Sequence, residues 1–298
     1  MNAQLSTSIP SPNAEAITAW NTVLFDKWDR FRPVVTDEFS VHSEALFARQ
    51  PPRPGARVLD IGCGFGDTTR RLATLVGPAG HALGVDAAPR FVDASRTESQ
   101  GVVNTSFAAM DVQDEALPGL FDDAYSRFGT MFFQNPVRAF ANVRRHLRVG
   151  GRLAMVVWRR RQDNALLYDA ERIVREFLDE PERTDQVTCG PGPFALADAD
   201  LVTTVVRRAG FENIDVQRHD HAIAIGRDED EAIDFAMNLG PAGEIVRLSG
   251  GEAEARRAEI DAALRAHFRG LPRDARGRIV AGSSVWLVTA FNPEGAAC

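Results

Sequence analysis

The sequence predicts an α/β fold with a mostly parallel sheet and helices on both faces. From Arg57 onward, short apolar runs alternate with amphipathic helical segments, which is the pattern of consecutive strand–helix–strand units. Three alternating glycines follow the first of these runs, at the place where such a sheet binds ligands. The chain has 298 residues, of which 44% are hydrophobic, so it can bury a large core without disulfide or metal support.

Seven runs have the length and composition of strands. Each is short, rich in apolar residues and bounded by turn residues or by a helical segment. We predict strands over residues 58–61, 82–85, 104–108, 123–126, 152–158, 214–225 and 284–291. The pair Gly150-Gly151 is expected to turn the chain from a helix into the fifth strand.

Four regions are expected along the chain. Large apolar side chains recur at helical spacing over residues 17–31, which predicts an amphipathic helical stripe near the N-terminus. A proline cluster at residues 51–54 then marks a boundary, and a mostly helical stretch precedes the last strand. The predicted regions are an N-terminal helical lid (1–50), the sheet core (51–225), a helical insertion or cap (226–281), and the last strand with the tail (282–298).

Charge and cysteine content disfavour several classes of protein. The 34 Lys and Arg residues against 41 Asp and Glu residues give a net charge of −7, which argues against general nucleic-acid binding. Cys63, Cys189 and Cys298 are too widely spaced for a disulfide framework or a CxxC metal pair. No apolar run is long enough for a membrane span, and residues 1–12 lack the features of a secretory leader. We therefore expect a cytoplasmic protein that has no membrane or nucleic-acid partner.

The most informative motif is the glycine-rich turn after the first strand. Gly62, Gly64 and Gly66 leave no Cβ, so a ligand can lie directly against the backbone there. Asp67 stands where a dinucleotide-binding GxGxxG motif would have its third glycine, which makes a nicotinamide-dependent oxidoreductase the second choice. Asp86 ends the second strand at the position from which an acid accepts hydrogen bonds from ribose hydroxyls, and this indicates an adenosine-type ligand.

Five motifs occur in the order found in one family. They are DIGCGFG, VDAAPR, AAMDV, SRFGTMFF and LRVGGRLAMVVW, all between residues 58 and 158. In this order the chain closely resembles class I S-adenosylmethionine-dependent methyltransferases, especially the bacterial branch that methylates quinones and natural products. The resemblance implies a Rossmann-like seven-stranded sheet whose last strand is antiparallel. It also implies S-adenosylmethionine as cofactor and S-adenosylhomocysteine as product.

The same resemblance assigns roles to single residues. It implies that the glycines cradle the methionine portion, that Asp60 holds its amino group, and that Asp86 binds the ribose. Asp111 and Val112 would bind adenine, and Ser126, Arg127 and Met131 would lie near the sulfur. The predicted cofactor contacts are Asp60, Gly62, Cys63, Gly64, Gly66, Thr68, Asp86, Ala87, Met110, Asp111, Val112, Ser126, Arg127 and Met131.

The acceptor is expected to be a small organic molecule, such as a secondary metabolite or a quinone-like compound. Amino-methylating nucleic-acid enzymes carry an Asp/Asn-Pro-Pro-aromatic motif after the fourth strand, whereas this chain has Ser126-Arg127-Phe128-Gly129. Methyl transfer from a sulfonium to oxygen, nitrogen or carbon needs an in-line approach, which positioning alone can supply. A catalytic side chain is therefore optional. The acceptor-site candidates are Trp20, Phe25, Trp28, His42, Trp158 and Tyr168.

Several of these assignments leave alternatives open. His42 is the first candidate for a general base, or else an ordinary histidine on a helix surface. Trp20, Trp28 and Phe25 either close over the cofactor or only pack against other apolar side chains. His219 and His221 lie on the same side of a strand without a third ligand nearby, so no metal is expected. A non-catalytic binder of S-adenosylmethionine remains a further alternative, and either a monomer or a homodimer fits the sequence.

Overall fold

The computed structural model describes residues 13–179 and 190–293. The N-terminal tail at residues 1–12, the loop position Pro181, and two of the three cysteines, Cys189 and Cys298, lie outside the described residues. In the described part, no helix has the length and apolar character that crossing a membrane requires.

One sheet of seven strands organises the part of the chain that the structure describes. Its strands are β1 Arg57–Ile61, β2 His81–Asp86, β3 Thr105–Ala109, β4 Phe121–Arg127, β5 Leu147–Trp158, β6 Glu212–Gly226 and β7 Ile279–Phe291. Their order across the sheet is β3-β2-β1-β4-β5-β7-β6. Strands β1 to β5 are parallel, and β7 runs antiparallel to both β5 and β6. The predicted fold class, including the reversed last strand, is confirmed.

Helices connect the strands, and further helices at the N-terminal end of the described chain pack against the sheet. They are α1 Ala14–Trp20, α2 Val23–Arg30, α3 Ser40–Arg49, α4 Asp67–Val76, α5 Pro89–Glu98, α6 Pro136–Arg145, α7 Ala165–Val174, α8 Ala199–Arg208, α9 Glu229–Leu239 and α10 Ala242–Gly270, with a kink at Gly250 in α10. A π-helical turn at Val34–Glu38 precedes α3, and short 3₁₀ turns occupy Thr130–Phe132 and Arg161–Asp163.

The apolar stripe over residues 17–31 is divided between two helices. Helix α1 ends at Trp20, and α2 begins at Val23 after a non-helical Thr22 with φ −128° and ψ −104°. The Thr22 hydroxyl donates to the carbonyl of Thr18 at 2.7 Å, which is the local side-chain bonding that competes with helix continuation. The break turns Phe25 toward the glycine-rich turn, where its ring lies 5.8 Å from that of Phe65.

Two strands, β5 and β7, begin five residues earlier than the sequence predicts. Strand β5 starts at Leu147, and Gly150-Gly151 lies inside it as an irregularity opposite β4 instead of forming a turn before it. Strand β7 starts at Ile279, which pairs with Gly226, so the predicted boundary at residue 282 falls within the strand. Both errors have the same cause, because cross-strand pairing with a distant segment decides where these strands start.

Candidate active site

A cavity of about 660 Å³ lies where the parallel strands end. One wall consists of residues that follow β1 to β5, which we call the strand-end half. The opposite wall consists of residues from α1, α2, the π-helical turn, α9 and α10, which we call the lid half. Ligands bind outside the carboxyl ends of parallel strands in open α/β sheets, so this location is the expected one.

The turn after β1 is held against the turn after β4 by contact between backbones. A Cβ on Gly62, whose φ is +67°, would lie 2.7 Å from the Cα of Gly129. A Cβ on Gly129 would lie 2.7 Å from the carbonyl oxygen of Ile61. The Ser126 hydroxyl donates to that same carbonyl at 2.8 Å. Ser126 therefore fixes the turn from below, and it does not line the cavity as predicted.

Gly64 and Asp86 form the centre of the strand-end half. Nothing lies within 4 Å of the position that a Cβ of Gly64 would take, and its φ is +52°. The amide of Gly64 donates to Asp86 Oδ2 at 3.1 Å, and the amide of Ala88 donates to Asp86 Oδ1 at 2.9 Å. Burial raises the pKa of Asp86 to about 6, although these two amides lower it. The arrangement is an open glycine cradle beside an oriented carboxylate.

Asp111 lies at the far end of the cavity and contacts the first described residue. The Asn13 side-chain amide donates to Asp111 Oδ2 at 2.8 Å, and the amide of Gln113 donates to Oδ1 at 3.0 Å. Met110 and Val112 add apolar surface on either side. The Asp111 carboxylate is therefore oriented to accept an N–H donor from within the cavity.

Arg127 supplies a cation next to the glycine-rich turn. Its guanidinium pairs with Asp67 at 2.7 Å, and the two side chains are 8% and 20% exposed. Because Asp67 is the first residue of α4, its negative charge also lies favourably at the positive end of that helix. Arg127 reaches the carbonyl of Thr36 in the π-helical turn as well, at 3.4 Å. It thus connects the strand-end half with the lid.

Asp60 lies beneath the turn and not in the cavity. The Thr69 hydroxyl donates to Asp60 Oδ2 at 2.6 Å, whereas Oδ1 is buried and has no partner among the described residues. Burial raises the pKa of Asp60 to about 7. Gly66 is also outside the lining, because its Cα faces Phe107 and Ser95, which a Cβ would approach to 2.9 and 3.0 Å.

Aromatic side chains form most of the remaining wall. Trp158 stacks on Phe128 with ring centroids 4.1 Å apart and planes 15° apart, and both line the cavity. Phe128 has a φ of +61°, a strained conformation for a bulky residue that places its ring on the indole. Across the cavity, Trp20 contacts Trp28 edge-on at 5.3 Å and Phe132 at 4.8 Å. This wall is aromatic and suits a flat apolar molecule.

The cavity gathers most of the residues predicted from sequence. Among the cofactor and acceptor candidates, it is lined by Gly62, Cys63, Gly64, Thr68, Asp86, Ala87, Met110, Asp111, Val112, Arg127, Met131, Trp20, Trp28 and Trp158. Asp60, Gly66, Ser126, Phe25, His42 and Tyr168 are not in its lining. Phe25 packs on Phe91 at 4.8 Å, and α7 presents Leu167 instead of Tyr168.

His42, the first candidate for a general base, lies in the core and not in the lining of the cavity. It is 0% exposed and lies behind Phe128 and Trp158, 6.1 Å from each ring. Ser283 donates its one hydroxyl proton to the carbonyl of His221, so it accepts from His42 Nε2 at 2.8 Å. Burial and the neighbouring His219 and His221 lower the pKa of His42 to about 3. The ring therefore stays neutral and packs in the core.

The sequence did not identify several cavity residues. Phe128 lies in a motif that the sequence shows, but its place in the wall depends on a backbone conformation that leaves no sequence signal. Lys27 is the only lysine of the chain, but composition alone does not place it in the cavity. The lid residues contributed by α9 and α10, such as Phe235, reach the cavity through packing between segments that are far apart in the chain, so local sequence patterns do not reveal them. Within the described residues, no group of three or more His, Cys, Asp or Glu side chains is arranged to hold a metal.

A family model for a methyltransferase domain matches residues 58–151. These residues contain β1 to β4, the glycine-rich turn, Asp86, Asp111 and Arg127. Residues 58–151 form a methyltransferase domain. The predicted resemblance is confirmed for this segment.

Several curated relatives are named as methyltransferases of small molecules. The chain is 33% identical to trans-aconitate 2-methyltransferase from Deinococcus radiodurans, over 46% of this chain and 49% of the relative. It is 36% identical to aklanonic acid methyltransferase DauC from a Streptomyces species, over 35% of this chain and 48% of the relative. It is 34% identical to the ubiquinone/menaquinone C-methyltransferase UbiE of Pseudomonas aeruginosa, over 40% and 48%. The matches thus span about half the length of these relatives or less.

Solved structures share the fold. The YcgJ protein from Bacillus subtilis matches with a TM-score of 0.53 and 20% identity, over 86% of this chain and 100% of that chain. Phosphoethanolamine N-methyltransferase 2 from Haemonchus contortus, in complex with S-adenosyl-L-methionine, matches with a TM-score of 0.52 and 14% identity, over 96% and 61%. At these identities the likeness establishes the fold alone.

Proposed function

We propose that the chain transfers a methyl group from S-adenosylmethionine to a small, largely apolar organic acceptor. The observation that carries the proposal is the pairing of an open glycine cradle with Asp86, whose carboxylate is oriented by the Gly64 amide at 3.1 Å. The methyltransferase domain at residues 58–151 contains both groups. The names of its relatives support a small-molecule acceptor.

The residues of the strand-end half fit the parts of the cofactor. Asp86 would accept hydrogen bonds from the ribose hydroxyls, and Asp111 would accept one from the adenine amine while Met110 and Val112 contact the ring. Arg127 would pair with the methionine carboxylate, beside the cradle at Gly64. Bound S-adenosylmethionine supplies a methyl group already activated by the positive sulfur.

The protein's contribution to the reaction would be positioning and exclusion of water. Alignment of a nucleophile with an activated donor can contribute about 7 to 11 kcal/mol, more than a general base usually supplies. The stacked Trp158 and Phe128 form an apolar surface for a flat acceptor, and Trp20 and Trp28 cover the other side. His42 takes no part, because its neutral ring is separated from the cavity by aromatic side chains.

Thermal unfolding in the presence of different ligands tests the proposal first. S-adenosylhomocysteine at a hundred times its Kd should stabilise the protein by about 2.7 kcal/mol, and NADH should have no effect. Stabilisation by NADH alone would contradict the proposal and favour the oxidoreductase alternative.

Turnover is the second test. Release of S-adenosylhomocysteine should follow addition of one member of a panel of phenols, enols and organic acids, each offered with S-adenosylmethionine. Binding of the cofactor without transfer to any member would favour a non-catalytic binder. The matched control is the Asp86→Asn variant, which should lose turnover at limiting cofactor.

A further inference from the structure

The charges on the cavity wall are balanced except at one residue. Three arginines line the cavity, and each has a carboxylate partner: Arg127 pairs with Asp67 at 2.7 Å, Arg161 with Glu171 at 2.7 Å, and Arg247 with Glu244 at 2.8 Å. Lys27 is the fourth cation of the lining. Within residues 13–179 and 190–293, no carboxylate lies within ion-pair distance of its ammonium group.

The carboxylates of the wall are also accounted for. Asp67 and Glu244 belong to the ion pairs already described, and Asp86 accepts from two backbone amides. Asp111 accepts from Asn13 and from the amide of Gln113. Lys27 is half-buried on the cavity wall, where an ammonium group without a counter-ion is unfavourable. A bound anion would provide the missing partner.

The position of Lys27 on α2 directs it toward the acceptor and away from the cofactor. It lies four residues before Phe31, so both share one face of the helix. Phe31 contacts Phe235 of α9 edge-on at 5.8 Å, and the neighbouring Arg30 pairs with Asp234 of α9 at 2.6 Å. Phe25, by contrast, faces the glycine-rich turn. The face of α2 that carries Lys27 is therefore the face that contacts α9.

The negative group of the cofactor already has a cation close to it. Arg127 ends β4 beside the glycine-rich turn, where the proposed function places the methionine carboxylate. Lys27 is left for the other occupant of the cavity. Its ammonium is compact and has three donors on a flexible stem, which suits a carboxylate or phenolate at the edge of an apolar site.

We propose that the methyl acceptor is an organic anion with a flat apolar body, and that its carboxylate or phenolate group pairs with Lys27. This inference rests on the proposed function and narrows its acceptor to one charge class. The stacked Phe128 and Trp158 hold the flat body, and Lys27 fixes its orientation from the opposite wall. Lys27 is thus a residue that determines specificity.

Calorimetric titration with a matched pair of probes tests the proposal. The full-length protein, saturated with S-adenosylhomocysteine, is titrated with 2-naphthoate and with the isosteric neutral 2-naphthamide. The wild type should bind the carboxylate about tenfold more tightly, as expected for one partly buried ion pair. Lys27→Met should remove this preference, and Lys27→Arg should keep part of it. Arg256→Met changes the net charge equally on an exposed part of α10, and the preference should be unchanged.

Each remaining outcome counts against the proposal. Equal affinity of the wild type for both probes, including no binding of either, would overturn it, as would a preference that survives in Lys27→Met. A loss of S-adenosylhomocysteine affinity in Lys27→Met would instead assign the ammonium to the cofactor carboxylate. Failure of the wild type to bind S-adenosylhomocysteine is a different result, because it would overturn the proposed function itself.

Discussion

The two halves of the cavity are built in different ways. The strand-end half consists of backbone amides, glycines and short acids that follow consecutive parallel strands, together with the stacked Phe128 and Trp158, so its geometry is set by the sheet. The lid half consists of large side chains from the N-terminal helices and from the helices that precede β7, and packing together with contacts such as the Arg30–Asp234 ion pair holds them in place. Phe31, directly after α2, and Phe235 of α9, for example, contact each other within the lid at 5.8 Å although about two thirds of the chain separates them.

The difference in construction suggests that the two halves bind different ligands. A half fixed by the sheet is suited to a constant ligand, which here is the proposed cofactor. A half made of packed side chains can change its shape through substitutions without disturbing the sheet, and this suits an acceptor that differs between relatives. Substitutions in the lid half should therefore affect stability and acceptor binding while cofactor affinity is retained.

The largest expected effect is on stability, from Phe235→Ala in the lid half. Phe235 is 1% exposed, so its truncation should lower the free energy of unfolding by about 3 to 5 kcal/mol. Affinity for S-adenosylhomocysteine should change by less than about threefold, since no strand-end group is lost. Urea denaturation and calorimetry measure the two quantities. Phe268→Ala, which removes a buried ring of α10 outside the cavity lining, is the control for stability.

Adding a single methyl group to a glycine of the strand-end half should destabilise the protein. Gly62→Ala combines a φ of +67° with a Cβ placed 2.7 Å from the Cα of Gly129. We expect a loss of about 3 kcal/mol in the free energy of unfolding, together with weaker cofactor binding. Gly55→Ala has a similar φ of +78° but open space around the Cβ, so it should lose only about 1 to 2 kcal/mol. Equal losses in the two variants would contradict the close contact between the turns.

Acid should lower the free energy of unfolding because His42 is buried between the lid and the sheet. Below pH 6.5 the imidazole of the unfolded chain takes up a proton, whereas the buried ring has a pKa of about 3 and does not. The stability that the neutral His42 ring contributes is therefore fully present above pH 6.5 and is lost as the pH falls toward 3. Between pH 7.5 and pH 5 the wild type should lose about 2 kcal/mol relative to His42→Gln, measured by urea denaturation at both pH values. Parallel pH dependence of the two proteins would contradict the burial of this ring.

Cofactor affinity should depend on pH through Asp86. Its pKa is raised to about 6, and the ionised carboxylate is the form that accepts from two ribose hydroxyls. The apparent affinity for S-adenosylhomocysteine should fall by up to about tenfold for each pH unit below 6. In the Asp86→Asn variant this part of the pH dependence should be absent.

The same contrast explains what the sequence could predict. The glycine-rich turn, Asp86 and Asp111 follow strand ends closely, so local pattern and parallel-strand geometry place them together. His42 and Tyr168 were expected near the acceptor because of the helices that carry them, but rotation about a helix axis decides which residue faces inward. For α7 that residue is Leu167, and for α3 the inward position of His42 is filled against Ser283 of β7. Which residue of a helix faces inward thus depends on contacts between distant segments.

The starts of β5 and β7 were misplaced for a related reason. Glycine pairs usually indicate turns, but Gly150-Gly151 lies within a strand because Leu147 pairs with Phe121. Phe128 lies one residue after β4 in a conformation that its residue type disfavours. Its place against Trp158 follows only from the assembled sheet.

Titration of S-adenosylhomocysteine into the wild type and Asp86→Asn tests the central claim most directly. Asn keeps the size of the side chain but removes the charge that would accept the ribose hydroxyls. The account predicts binding to the wild type and a loss of at least about tenfold in the variant, as expected for hydrogen bonds to a charged acceptor. Asp93→Asn, an exposed site on α5, should bind as the wild type does. Equal affinity of the wild type and Asp86→Asn would contradict the account.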